Sequence, residues 1–372
     1  MKAVGIILAG GNSNRMRELS NKRAVAAMPI VGSFRSIDFA LSNMSNSHVQ
    51  TVAVLTQYSA RSLNEHLSSS KWWDFGRKQG GLYVFNPTVT ADNSWWYRGT
   101  ADAMYQNIDF LKKRHEPYVI ICSGDGIYKM DYNKVLDYHI EKKADVTIVC
   151  KDMECGEDVE RFGVIRTDED LRILDFEEKP MITESNTIST GIYVVRRRQL
   201  IEMLERSAVE GRYDFVTDIL IRYKSMKRMY AYKMTEYWSN IATVESYFHT
   251  NMDFLNPDVR KYFFREEPTI FSKVDDLPPA KYNPGSEVRN SLISSGCIIN
   301  SKVEDSILFK KVFVGKNCVI KNSIILNDVY IGDNTHIENC IVESRGTLNA
   351  NSYYHGEDGI KIVSEKNHRY VL

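Results

Sequence analysis

The chain has 372 residues, 43% of them hydrophobic and 26% charged, enough to bury a core and to form two or three domains. Lys+Arg and Asp+Glu balance at 48 each, which removes a general electrostatic case for nucleic acid. No apolar run approaches the roughly 18 residues of a membrane span, so neither nucleic acid nor membrane is expected as a partner. The apolar run Val4 to Ala9 ends in Gly10-Gly11 and reads as a first strand, not a secretion signal. Phe34 to Ser47 reads as a helix, Thr51 to Thr56 as a strand and Ser59 to Leu67 as a helix. Tyr118 to Ser123 is a strand ending in Gly124-Asp125-Gly126, followed by a helix over Tyr132 to Lys142 and a strand over Ala144 to Cys150. This alternation predicts an α/β domain with a mostly parallel sheet covered by helices, whose ligands bind outside the C-terminal strand ends, the edge where Gly10-Gly11 and Gly124-Asp125 fall.

Further along, Val164-Ile165, Ile173 to Phe176 and Gly191 to Val195 read as strands of a mixed sheet. Leu200 to Arg206, Phe215 to Tyr223 and Thr243 to Met252 read as helices. Residues 253–290 read as a linker that packs along the surface. From Ser291 the pattern changes. VFVGKNCVIKNSIIL and VYIGDNTHIENCIV align at about seventeen residues, the periodicity of a solenoid whose rungs bury their apolar faces on one another. A parallel β-helix over 291–372 is expected, fading near residue 342, with a small antiparallel sandwich as the alternative. The domain boundaries read this way are 1–252, 253–290 and 291–372.

Six cysteines, at 122, 150, 155, 297, 318 and 340, show no CxxC spacing and read as buried thiols in a reducing cytoplasm. In the repeat alignment Cys318 matches Thr335 and Cys340 matches Ser323, which suits small-residue slots better than a metal site. Four of the five tryptophans lie at 72, 73, 95 and 96, beside Tyr97, and suit core packing or an interface.

Several blocks together resemble the glucose-1-phosphate adenylyltransferase, or ADP-glucose pyrophosphorylase, family: SIDFALSN (36–43), VLTQY (54–58), WYRGTADAMYQN (96–107), SGDGIYKMDY (123–132), RFGV (161–164), FEEKP (176–180), STGIYVV (189–195) and EYWSNIATVESY (236–247). The resemblance implies a Rossmann-like nucleotidyltransferase domain with a mixed sheet, followed by a left-handed parallel β-helix. It implies the reaction of ATP with glucose 1-phosphate to give ADP-glucose and pyrophosphate. It implies a nucleotide-binding part at Gly10, Gly11, Arg15 and Gly99, and sugar-phosphate contacts at Glu178, Lys179, Ser189 and Gly191, with Asp214 in a neighbouring block.

Against that pattern some parts have changed. The second glycine of the first loop is Ser13, the lysine expected in RAKPA is Val25, and Ser33 replaces a further lysine. The family's Mg²⁺ is held by two aspartates. Here the first is Asp125, followed by Gly126 in place of histidine, and the second is Asn240. Valine supplies neither charge nor donor, and asparagine supplies no charge, so the metal is expected to be bound weakly or not at all, with no tightly held cofactor. These losses resemble the non-catalytic partner subunit known in some Gram-positive bacteria. The expectation is therefore a regulatory subunit that supports a catalytic ADP-glucose pyrophosphorylase subunit in a heterotetramer, forms homo-oligomers when alone and still holds a sugar-phosphate or nucleotide ligand. The alternative is an active adenylyltransferase with a rearranged site, in which Arg15, Asp125 and Lys179 do most of the work and Lys22 or Arg23 swings in near Val25.

Overall fold

The computed structural model describes residues 3–11, 14–76, 80–89, 95–154 and 159–364. Its contacts divide the chain into two units, residues 1–11 with 39–238, and residues 12–38 with 239–372. This division differs from the sequence boundaries because the segment 12–38 leaves the first unit and packs with the second. Among the described residues no helix is long and apolar enough to cross a membrane.

The first unit is built on a nine-stranded mixed sheet. In chain order its strands are β1 (Ala3–Leu8), β2 (Thr51–Leu55), β3 (Gly81–Phe85), β4 (Tyr118–Ser123), β5 (Val146–Asp152), β6 (Gly163–Thr167), β7 (Ile173–Glu178), β8 (Thr187–Arg196) and β9 (Met229–Lys233). The order across the sheet is β7-β6-β8-β4-β1-β2-β3, with β5 joining β8 to β9. Strands β4, β1, β2 and β3 run parallel, and β8 runs antiparallel to β4. Strands β1, β2 and β4 are almost wholly apolar because helices cover both faces, which also made them legible in the sequence. Helices α1 (Ser36–Asn46), α2 (Arg61–Leu67), α3 (Thr100–Gln106), α4 (Ile108–Lys112), α5 (Tyr132–Glu141) and α6 (Arg197–Val209) complete the frame. The helix read over 215–223 is a six-residue π-helical stretch, Val216–Ile221.

One buried group of α5 makes the first unit pH-sensitive. His139 is 1% exposed. One ring nitrogen, Nδ1, lies 2.8 Å from the Thr147 hydroxyl, and Nε2 has no partner. Burial, reinforced by the charge of Arg196, lowers its pKa from 6.5 to about 4. Between those values the unfolded chain binds a proton that the folded chain refuses, so stability falls as pH drops through the window. The full span is worth about 3 kcal/mol. Chemical denaturation at pH 7.5 and pH 4.5 is expected to show that loss in the native chain and a smaller loss in His139→Gln.

The second unit contains three parallel sheets of five short strands each, a hexapeptide-type left-handed parallel β-helix as the repeats predict. The solenoid begins before residue 291 and continues past residue 342, where the repeat pattern fades. Its first strands are Lys281–Tyr282 and Glu287–Arg289, and its last is Lys361–Val363. The pattern fades after residue 342 because the last coil is longer, pairing Cys340 with Lys361 instead of a residue seventeen further on. Corner residues take left-handed backbone, with φ of 55°, 57° and 60° at Asn317, Asn334 and Asn351. Asparagine tolerates that region better than most side chains. The stacked amides bond along the axis, Asn317 to Asn334 at 3.2 Å and Asn334 to Asn351 at 2.9 Å.

The cysteines behave as the alignment implied. Cys340 Sγ donates to the Glu338 carbonyl just as Ser323 Oγ donates to that of Lys321 and Ser306 Oγ to that of Glu304. Thiol and hydroxyl fill equivalent slots. Cys155 lies outside the described residues.

Helices α7 (Val244–Asp253) and α8 (Pro257–Phe264) also belong to this unit. The second falls within the stretch read as linker. The segment 12–38 is tied down by several bonds inside the unit. The Tyr247 hydroxyl donates to the Pro29 carbonyl at 2.7 Å, and Val31 N–H donates to Asn251 Oδ1 at 3.0 Å.

Candidate active site

In the first unit the expected glycines flank one cleft of about 340 Å³ at the C-terminal ends of β1 and β2. Its walls include Gly10, Gly11, Gln57, Tyr58, Tyr97 and Gly99. Ala9 N–H is still bonded to the Leu55 carbonyl, whereas among the described residues neither Gly10 nor Gly11 donates its N–H to another backbone group. A Cβ on Gly11 would meet nothing within 4 Å. Two amides stand at an open strand end, an arrangement suited to an anion.

The far wall is a braced turn. The Gln57 side chain both donates to the Tyr97 carbonyl at 3.2 Å and accepts from Tyr97 N–H at 2.6 Å. Both ends of the amide are thereby used to hold backbone. Asn107 Nδ2 donates to the Tyr97 hydroxyl at 2.9 Å, and burial raises the pKa of that phenol. Trp95 and Trp96, just before Tyr97, are 69% and 65% exposed, whereas Trp73 is fully buried. The tryptophans thus serve two ends, one in the core and one on the surface beside the cleft.

Strand β4 ends at Ser123, another lining residue, whose hydroxyl donates to Asp125 Oδ1. The turn carrying Asp125 is fixed from α1. Asn43 donates to the Tyr128 carbonyl at 3.1 Å and accepts from Met130 N–H at 3.1 Å. Gly126 has no room for the expected histidine as the chain stands. A Cβ there would lie 2.9 Å from Cε1 of Tyr128, a fully buried ring whose hydroxyl is bonded to that of Tyr132 at 2.6 Å.

Of the residues expected on the sugar-phosphate side, Glu178 ends β7, Lys179 follows it, and Ser189 and Gly191 lie on β8. Glu178 and Lys179 form an ion pair at 2.7 Å. Lys179 holds a φ of 50°, uncommon for a side-chain-bearing residue, and its N–H bonds to the Phe162 carbonyl at 3.0 Å. Between Ser189 and Ile192 the pairing of β8 with β5 slips, and Gly191 takes a φ of 76°. A Cβ on Gly191 would lie 3.5 Å from Ser123 Cβ, so this bulge adjoins the end of β4 and the turn of Asp125. Ser189 is buried, with its hydroxyl 3.3 Å from that of Tyr193. Asp214 is spent on structure. Its Oδ1 accepts the N–H groups of Val216 and Thr217, and its Oδ2 accepts from the Thr100 hydroxyl at 3.4 Å.

Among the remaining expected residues, Arg15, Val25 and Asn240 belong to the second unit. Ser13 lies outside the described residues. Arg15 is exposed in a 3-10 stretch, Asn14–Ser20, and Val25 is buried in a 3-10 turn, Val25–Ala27. An apolar side chain at 25 therefore completes a core position. Lys22 and Arg23, expected to swing toward Val25, are engaged elsewhere. Lys22 pairs with Glu343 of the β-helix at 3.2 Å. Arg23 lies among Tyr247, Glu343 and Arg345, and burial lowers its pKa. Asn240 turns its oxygen onto Ala242 N–H at 2.9 Å. Among the described residues no group of three His, Cys, Asp or Glu side chains is arranged to hold a metal ion.

Comparison with known proteins decides the family. A nucleotidyl transferase model matches residues 4–256, and a GlmU-like C-terminal hexapeptide model matches residues 278–358. The glucose-1-phosphate adenylyltransferase of Clostridium beijerinckii is 42% identical over 325 residues, 86% of this chain and 83% of that one. The chain belongs to the glucose-1-phosphate adenylyltransferase family. The enzymes of that name from Pseudothermotoga lettingae and Geobacillus stearothermophilus are 40% and 39% identical, each alignment covering 86% of this chain and, respectively, 76% and 83% of theirs.

The comparison also corrects the expected role. Eight relatives at 39–42% identity all bear the name of the adenylyltransferase itself, and none that of a regulatory subunit. The reading as a non-catalytic helper, drawn from Ser13, Val25 and Asn240, is overturned.

Proposed function

We propose that this chain is an active glucose-1-phosphate adenylyltransferase, joining ATP and glucose 1-phosphate to give ADP-glucose and pyrophosphate through a rearranged site. The observation that carries the reading is the family kinship at about 40% identity with enzymes of that name. The open cleft supports it, since among the described residues the amides of Gly10 and Gly11 have no backbone acceptor.

In this reading the sugar phosphate's oxygen attacks the α-phosphorus of ATP, a new P–O bond forms, and the bond to pyrophosphate breaks. Such transfers depend on positioning and on stabilising charge. The amides of Gly10 and Gly11 receive phosphate oxygens, and the Tyr97–Gly99 turn walls the nucleotide. Lys179, held in place by Glu178 and by its own backbone bond, supplies positive charge to the sugar phosphate.

Asp125 is the residue that would hold Mg²⁺, together with the nucleotide's phosphates. One carboxylate fits this ion, which commonly keeps several waters and relies on its substrate. Bound so, the ion would neutralise phosphate charge. Asn240, with its oxygen on Ala242, is not assigned to it.

The test is to incubate the purified chain with ATP, glucose 1-phosphate and Mg²⁺ and to follow ADP-glucose by chromatography. Product in proportion to enzyme supports the reading. No product from a folded chain refutes it.

A further inference from the structure

Two turns of the first unit, far apart in sequence, are fastened together beside the cleft. One is Tyr97–Ala101, at the start of α3. The other is Tyr213–Thr217, which carries Asp214 and adjoins the sugar-phosphate side through Phe215, whose ring packs edge-on against Tyr193 at 5.4 Å, the residue whose hydroxyl lies 3.3 Å from that of Ser189. The Tyr213 carbonyl accepts from Ala101 N–H at 2.8 Å and from Asp102 N–H at 3.2 Å. In return, Phe215 N–H donates to the Thr100 hydroxyl at 2.9 Å, and that hydroxyl faces Asp214 Oδ2 at 3.4 Å.

Arg98 spans the joint. Its guanidinium lies 3.8 Å from the centroid of the Tyr213 ring and donates to the Tyr213 hydroxyl at 2.7 Å. The same group reaches the buried carboxylate of Asp102 at 3.3 Å, and Arg98 N–H bonds that carboxylate at 2.9 Å. Gln106 adds a further bond to Asp102 at 2.9 Å. A planar cation that stacks and bonds at once is a rigid link that lysine cannot copy. Arg98 also lines the cleft.

We infer that Arg98 and Tyr213 form a clasp that makes the nucleotide wall and the Tyr213–Thr217 turn move as one body, so that filling the cleft tightens the sugar-phosphate site. Arg98 is then a positioning residue. The inference rests on the adenylyltransferase reading for its ligands, but not for the clasp itself. Energetic coupling between two sites needs a shared element that both bias, and the bonded pair of turns is such an element.

The experiment is calorimetric titration of glucose 1-phosphate, with Mg²⁺, in the absence and presence of saturating α,β-methylene-ATP. In the native chain the analogue is expected to tighten sugar-phosphate binding at least about fivefold. In Arg98→Ala and Arg98→Lys that factor, taken against each variant's own affinity without nucleotide, is expected to fall below about twofold. Tyr213→Phe, which keeps the ring face, should retain most of the coupling.

Unchanged coupling in Arg98→Ala, or none in a native chain that binds both ligands, overturns the inference. A native chain that binds no nucleotide overturns the functional reading and the substrate coupling with it. Hydrogen exchange without ligand then judges the clasp alone. Faster exchange at both Ala101 and Phe215 in Arg98→Ala supports it, and a change confined to Ala101 refutes it.

Discussion

Gly99→Ala is expected to cost about 3 kcal/mol of stability and to weaken ATP binding at least about tenfold. The reason is not backbone freedom, since Gly99 is extended, with φ of −179°. It is close approach. A Cβ at this position would lie 2.3 Å from the Tyr213 carbonyl oxygen and 2.7 Å from its carbon. That carbonyl cannot retreat cheaply because it holds two α3 amides. The strain would open the joint between the two turns and displace the Tyr97–Thr100 wall. Gly11→Ala is the contrast, since its new methyl meets nothing within 4 Å. It should fold normally and lose nucleotide affinity only by crowding the phosphates. Urea denaturation and calorimetry of both variants separate the two effects. Equal stability of Gly99→Ala and the native chain would contradict the account.

Asp125→Asn is expected to lower kcat by about 10²–10³ while changing stability by less than about 1 kcal/mol. Asparagine keeps the shape and can still accept from the Ser123 hydroxyl, the contact that Asp125 makes now. Only the charge is lost. The turn itself rests on Asn43, so it should not move. The KM for glucose 1-phosphate should change little, because the charge acts mainly where pyrophosphate leaves. Steady-state kinetics across a Mg²⁺ series would check this. A variant with native kcat would remove Asp125 from the mechanism.

Much of the fold was legible where a single stretch carries its own signal. The strands Ala3–Leu8, Thr51–Leu55 and Tyr118–Ser123 are apolar because both sheet faces are covered. The solenoid announced itself through equivalent slots, confirmed by Cys318 beside Thr335 and Cys340 beside Ser323 in the register of the sheets. Its first strands, Lys281–Tyr282 and Glu287–Arg289, escaped because all five residues are exposed and so carry no apolar pattern. Helix α8 was lost in a segment read as linker. Yet Asn256 caps it by accepting from Asp258 N–H, and Pro257 sits at its first turn, a start signal present in the sequence.

The site was less legible because its bonds run between distant residues. FEEKP and STGIYVV gave Lys179 and Gly191, but not the left-handed backbone of the former or the bulge at the latter. Nothing local in NKRAV foretells that Lys22 is held by Glu343, 321 residues away. The joint of Arg98 with Tyr213 is equally hidden. The residues that depart from the family pattern have local uses invisible in the sequence: Val25 is buried in the core, and Asn240 accepts from Ala242 N–H.

In the proposed function this chain transfers an adenylyl group by itself. The most direct measurement follows α-phosphate-labelled ATP under single-turnover conditions, with the purified chain in excess, glucose 1-phosphate and Mg²⁺. The account predicts that the label moves into ADP-glucose and that Asp125→Asn slows the transfer. Label that stays in ATP, in a folded chain shown to bind both substrates, would contradict it.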